Sequence, residues 1–147
     1  PVDIERALRK DHSTDSKKRN LQLEAAAHIA VQKRIDEDGL KTPATTAAAI
    51  LEIHKRFCEP LPDELLFVQQ PTAKERLPVA PGEFREHAVE VGRHVPIGPG
   101  ALPRFLKRFE EVYGPLGKSE TIVAAAAAHH RLLWIHPFLD GNAAWRG

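Results

Sequence analysis

Apolar positions recur at offsets of three and four near both ends of the chain and lose that rhythm in the middle. Between Asn20 and Asp38, Leu21, Ala25, His28, Ile29, Gln32 and Ile35 share one helical face, and Gly39 stands where a helix commonly ends. That spacing predicts a first helix. Thr42 followed by Pro43 reads as an N-cap with proline at the first helical position. Ala47, Ile50, Leu51, His54, Phe57 and Cys58 then continue an apolar face up to Pro60, which predicts a second helix. A third starts near Pro103, where Leu102, Phe105, Leu106, Phe109, Val112 and Tyr113 recur until Gly114 and Pro115 stop it. Ser119 is placed to cap a fourth. Its apolar run from Ile122 through the small residues Ala124 to Ala128 to Leu132, Leu133, Trp134 and Ile135 predicts a central helix, buried on most sides.

Eight of the 12 prolines lie between Pro60 and Pro103, so the middle of the chain reads as loop. Within it, Ala88 to Val95 places valines two apart around Gly92, which suits a short two-stranded ribbon. A helical body with one small hairpin is the expected architecture.

With 42% hydrophobic and 28% charged residues in 147, the chain has the composition of one globular domain and not of a disordered segment. A formal net charge of +1 lacks the basic excess that phosphate-backbone binding needs, which argues against general nucleic-acid binding. No apolar run reaches the roughly 20 residues of a membrane span, so no membrane association is expected. The one cysteine, Cys58, has no partner for an internal disulfide and suits a reducing, cytoplasmic setting. His12, His28, His54, His87 and His94 read as exposed or satisfied core residues with no assigned role. Adjacent His129 and His130 point about 100° apart on a helix, which disfavours a shared zinc ion with His136 and Asp140.

The chemistry concentrates in His136-Pro137-Phe138-Leu139-Asp140-Gly141-Asn142. Pro137 disfavours helix at His136, so the fourth helix ends there, and Gly141 permits a tight turn. A helix starting near Asn142 would aim its free N–H groups into the same loop, as anion-binding helix starts do. A neutral imidazole takes a proton from an attacking hydroxyl, a carboxylate holds Mg²⁺, and amides stabilise charge on phosphate oxygens. The combination suits metal-assisted phosphoryl or nucleotidyl transfer to a hydroxyl.

These seven residues also resemble the opening of the Fic motif, His-Pro-Phe-x-Asp/Glu-Gly-Asn-Gly-Arg-x-x-Arg, and Ala128 to Ile135 is similar to the helix that leads into it. Val89-Glu90-Val91-Gly92 looks like the family's flap hairpin, and Leu102 to Leu106 like the helix after it. The resemblance is close over the second half of the chain and loose over the first. It implies an all-α, Fic-type helical bundle with a small β-hairpin flap. The implied activity is AMPylation, transfer of AMP from ATP to a Ser, Thr or Tyr hydroxyl of a target protein. On that resemblance His136 is the base and Asp140 the Mg²⁺ ligand. Gly141 and Asn142 contact the nucleotide, Phe138 anchors the loop in the core, and Val89, Glu90, Val91 and Gly92 clamp the target by strand addition.

After Asn142 the family pattern asks for Gly, Arg, two variable residues and Arg, where this chain has Ala143, Ala144, Trp145, Arg146 and Gly147. Both motif arginines are missing from their places, and alanine cannot supply their paired charge-assisted bonds to phosphate. Arg146 stands one position early, a rotation of about 100° on a helix. The expectation is a single Fic-like domain over 1–147, truncated at its C-terminus. Two alternatives stay open: a catalytically impaired domain that binds a partner or nucleotide, or an enzyme transferring another phosphate-linked group. Some relatives carry an inhibitory helix with the pattern Ser/Thr-x-x-x-Glu-Gly/Asn, and Asn20 to Ala25 offers only its glutamate and spacing. Residues 1–40 are thus a candidate inhibitory region with Glu24 as the regulatory carboxylate, against the simpler reading of a solvated helix face.

Overall fold

The computed structural model describes residues 13–69, 76–115 and 121–142. Helix α1 (Ser16–Asp38) starts at Asp15, whose carboxylate accepts the N–H groups of Lys17 and Lys18, and stops at Gly39 with φ of +71°. Its inward face is not the expected one. Gln22, Ala27 and Val31 are buried, whereas Leu21 is 55% exposed and His28 and Gln32 face solvent. Alanines on several sides leave this helix little amphipathic preference, so its packing against α2 selects the face. Buried Gln22 is satisfied by accepting the N–H of Ser13 at 2.8 Å.

Helix α2 (Ala47–Cys58) begins one turn later than Thr42 and Pro43 suggested. Pro43 instead heads a turn that receives the Thr46 N–H at 2.9 Å, and the Thr46 hydroxyl caps the helix by accepting the Ala49 N–H. The proline-rich middle then contributes the antiparallel strands β1 (Phe67–Gln69) and β2 (Arg76–Pro78), with Phe67 opposite Pro78 and Gln69 opposite Arg76. Pro78 is tolerated because this two-stranded sheet is all edge. The ribbon expected at Ala88 to Val95 reduces to one bridge between Val91 and His94, closed by two backbone bonds of 2.9 and 3.0 Å around Gly92.

Helices α3 (Leu102–Tyr113) and α4 (Thr121–Ile135) complete the described residues. The all-α architecture with a small hairpin holds. The proposed cap Ser119 lies outside the described residues. Ile50 of α2, Leu102, Leu106 and Phe109 of α3, Ile135 of α4 and Phe138 beyond it form the core. At about 25 cal/mol per Å² this shared apolar burial is what fixes the end of α4 against α2 and α3. The rest of α4 departs from expectation: Ile122 is 87% and Val123 79% exposed, and burial is confined to its C-terminal end. A run apolar on all sides reads as buried, but among the described residues α3 is the helix that packs against it. No helix of the described residues is long and apolar enough to cross a membrane.

Candidate active site

Helix α4 ends at His136, whose N–H still reaches the Leu132 carbonyl at 2.9 Å while its own backbone turns to φ of +53°. A non-glycine residue in this left-handed region persists only where the surroundings over-determine it. Three sets of contacts do so. Pro137 and Phe138 are buried, and Phe138 stacks on the buried ring of His54 with centroids 3.7 Å apart and planes within 4°. Asn142 folds its side chain back onto Phe138, accepting its N–H and donating to its carbonyl, both at 2.8 Å. Arg85, 4% exposed, donates from Nε to the His136 carbonyl at 2.7 Å.

Asp140 and Gly141 make the turn that returns the chain. The Asp140 carboxylate accepts the Gly141 N–H at 2.8 Å, and Gly141 takes φ of +74°. The Asp140 carbonyl is held from below by His54, at 3.1 Å from Nε2. The Gly82 N–H donates to His54 Nδ1 at 3.0 Å, which assigns the proton to Nε2 and makes His54 a neutral donor to Asp140. Burial lowers the pKa of His54 below its ordinary 6.5, outweighing the opposite pull of Asp140.

His136 is also lowered from 6.5, first by burial, then by the positive charge of Arg85, with Asp140 pulling upward and His94 downward. At neutral pH it is an uncharged imidazole, the form that accepts a proton. Burial lowers the pKa of Arg85 as well, though a guanidinium stays charged throughout the physiological range. Among the described residues no group of three or more His, Cys, Asp or Glu is placed to hold a metal ion.

Residues 44–144 match the Fic/DOC family. The chain belongs to the Fic/DOC family. It is 46% identical over 67 residues to Protein adenylyltransferase Fic of Drosophila yakuba and of Drosophila ananassae, and 43% identical to that of Drosophila erecta. Each match covers 44% of this chain and 14% of the relative. The chain therefore spans about one seventh of the length of these curated relatives.

Of the expected Fic site residues, the structure brings His136, Asp140, Gly141 and Asn142 into one loop, with Phe138 4% exposed in the core. The residues expected to form a flap, Val89, Glu90, Val91 and Gly92, belong to the segment between Arg85 and Ile97, which is tied to the end of α4. His94 donates from Nε2 to the Trp134 carbonyl at 2.9 Å, and its ring lies 5.9 Å from the Trp134 ring. Asn142 spends its carbonyl and one N–H on Phe138, so its structural task is to close the loop. Glu24 sits half-buried on α1, outside the matched residues. The Ala143 to Gly147 segment lies outside the described residues.

Sequence reasoning passed over three residues: His54 and Arg85, which hold this Fic loop, and His94, which holds the helix end leading into it. His54 already lay on the inward face of α2 beside Ile50 and Cys58, which was the available signal. Arg85 and His94 carried none in periodicity, since they act from an irregular segment.

Proposed function

We propose that this Fic domain transfers AMP from ATP to a hydroxyl side chain, Ser, Thr or Tyr, of a target protein. The observation that carries the reading is the neutral, half-buried imidazole of His136, held beside Asp140 in a loop closed by Asn142. In this reading His136 takes the proton of the target hydroxyl as its oxygen attacks the α-phosphorus. A new O–P bond forms, the bond to the β-phosphate oxygen breaks, and pyrophosphate leaves. Asn142 offers its backbone N–H and its second side-chain N–H to the phosphates, and Gly141, whose own N–H is held by Asp140, lets the nucleotide approach the backbone closely. Residues Val89 to Gly92 take the target segment by strand addition.

A single carboxylate suits Mg²⁺, which is commonly bound by one or two carboxylates together with phosphate oxygens and water, and Asp140 is that ligand. When bound, the ion neutralises phosphate charge and orients the leaving group. ATP is then the co-substrate, and a buried lone thiol at Cys58 suits a cytoplasmic setting.

A second reading rests on Ala143, Ala144 and Gly147, which stand where the motif has glycine and two arginines. Without those guanidinium contacts the domain acts as a partner- or nucleotide-binding module. Incubation with Mg²⁺ and ATP labelled at either the α- or the γ-phosphate separates the two. The AMP-transfer reading expects α-label on protein from this chain and none from His136→Ala. Nucleotide binding with no α-label transfer rejects it in favour of the binding module, and γ-label on protein rejects it in favour of phosphorylation.

A further inference from the structure

The end of α4 exposes three successive carbonyls, at Trp134, Ile135 and His136, and an α-helix has no partners of its own for its last four. Side chains of the flap segment receive all three. His94, beside the flap tip, takes the Trp134 carbonyl at 2.9 Å. Arg85, at the flap root, takes His136 at 2.7 Å from Nε and Ile135 at 3.5 Å from Nη2. Its backbone N–H adds a bond of 3.0 Å to the Pro137 carbonyl. The same guanidinium also binds both legs of the flap, donating to His87 at 3.0 Å and to Ile97 at 2.5 Å. One buried fork thus joins the two legs of the flap to the peptide groups on either side of His136.

We propose that Arg85 is a positioning residue that couples the flap to the catalytic loop, so that a segment laid against the flap resets the backbone, and hence the ring direction, of His136. The physical basis is that His136 occupies a left-handed conformation, with φ of +53°, that its neighbours must impose. Rotating its peptide moves the carbonyl that Arg85 holds. A displacement of either leg of the flap is passed to that carbonyl through a rigid planar group with five donors, which a flexible ammonium cannot imitate. The inference rests on the proposed roles of His136 as base and of the flap as target clamp, but the measurement below requires neither ATP nor a target.

The test is NMR on the ¹⁵N-labelled chain, with Gly92→Ala as the flap perturbation. Gly92 has φ of +62° and nothing within 4 Å of an added Cβ, so alanine strains the flap turn without striking a neighbour. The expected result is a joint shift of the His136 amide and the Arg85 Nε–H resonance, larger than that of the core control Leu106. In Arg85→Lys, the response of His136 to Gly92→Ala falls by about threefold or more, as a double-mutant cycle reports for coupled sites. A purely structural arginine would lower the melting temperature on substitution yet leave that response intact, and this overturns the proposal. If Arg85→Lys does not fold, the parent background decides: His136 moving while Arg85 Nε–H stays still, or neither moving, also overturns it. Failure of α-label transfer with coupling intact rejects the proposed function and keeps the coupling; label transfer with uncoupled resonances does the reverse.

Discussion

His54→Phe isolates the polar work of the buried histidine under the loop. Phenylalanine retains a flat ring for the stack on Phe138, at 3.7 Å and 4° in the parent, but removes both nitrogens. The Asp140 carbonyl then loses its 3.1 Å partner and the Gly82 N–H its 3.0 Å acceptor. Each unsatisfied buried group is worth about 1–3 kcal/mol, and both loops here are half-buried, so the expected loss at pH 7.5 is about 2 kcal/mol. His54→Ala also gives up the ring contact and leaves a cavity, for about 4 kcal/mol. The pH dependence adds a sharper reading. His54 and His136 both have folded-state pKa values below the 6.5 of the unfolded chain. The unfolded chain therefore binds these protons first, and the stability that depends on neutral imidazoles is whole above that value and lost as pH falls toward the folded pKa. Each such histidine contributes a slope of at most about 1.4 kcal/mol per pH unit. His54→Phe removes one of the two, so urea melts followed by circular dichroism should show the gap to the parent narrowing between pH 7.5 and 5. A gap that stays constant or widens as pH falls would refute the assignment of His54 as a neutral buried donor.

Gly141→Ala should destabilise more than Gly39→Ala. Both positions have positive φ, a strain of about 1–2 kcal/mol for alanine, but only at Gly141 would the added Cβ meet neighbours, His54 Nε2 at 3.1 Å and Phe57 at 3.4 Å. Equal melting temperatures for the two variants would contradict that contact. Burial, with help from the Asp140 charge, pushes the Cys58 thiol up to about 11, so iodoacetamide at pH 8 should leave the folded chain unmodified. Alkylation as fast as in urea would refute this. Restoring the motif with Ala143→Gly, Ala144→Arg and Gly147→Arg should raise α-label transfer by about tenfold or more, since charge-assisted hydrogen bonds contribute about 1.5–3 kcal/mol each. No gain would show that those positions do not limit the reaction. In that restored background Glu24→Gly should raise automodification further, and an unchanged level would exclude Glu24 as the inhibitory carboxylate.

Helix α3 was legible because its buried residues Leu102, Leu106 and Phe109 repeat at helical spacing between a proline and a glycine. Helix α4 was legible as a helix but not as an environment. Its apolar run says nothing about how many neighbours cover it, and Ile122 and Val123 are in fact open to solvent. The strands β1 and β2 escaped notice because three-residue strands carrying Pro78 and Arg76 have no alternation to read. The Fic loop was legible because its residues are contiguous, from His136 to Asn142. Its supports were not, because Arg85 reaches across 51 residues to His136, and His54 across 86 to Asp140. No local pattern encodes such separations.

Those two supports grip opposite ends of the same loop. Arg85 fixes the carbonyl of His136 where the chain enters it, His54 fixes the carbonyl of Asp140 where the chain turns, and Phe138 is buried between them against the His54 ring. Among the described residues these anchors come from α2 and from the segment between Arg85 and Ile97. The proposed base and the proposed metal-binding carboxylate are thus held by Arg85 and His54, neither of which is a motif arginine. Losing those arginines should weaken the hold on the nucleotide's outer phosphates while leaving His136 neutral and aimed. On the proposed function the impairment would then lie in nucleotide binding and not in the proton-transfer step, so the restored arginines should act mainly on the ATP concentration needed for half-maximal labelling. An effect confined to the rate at saturating ATP would place the defect in the loop itself, contrary to the anchoring seen here.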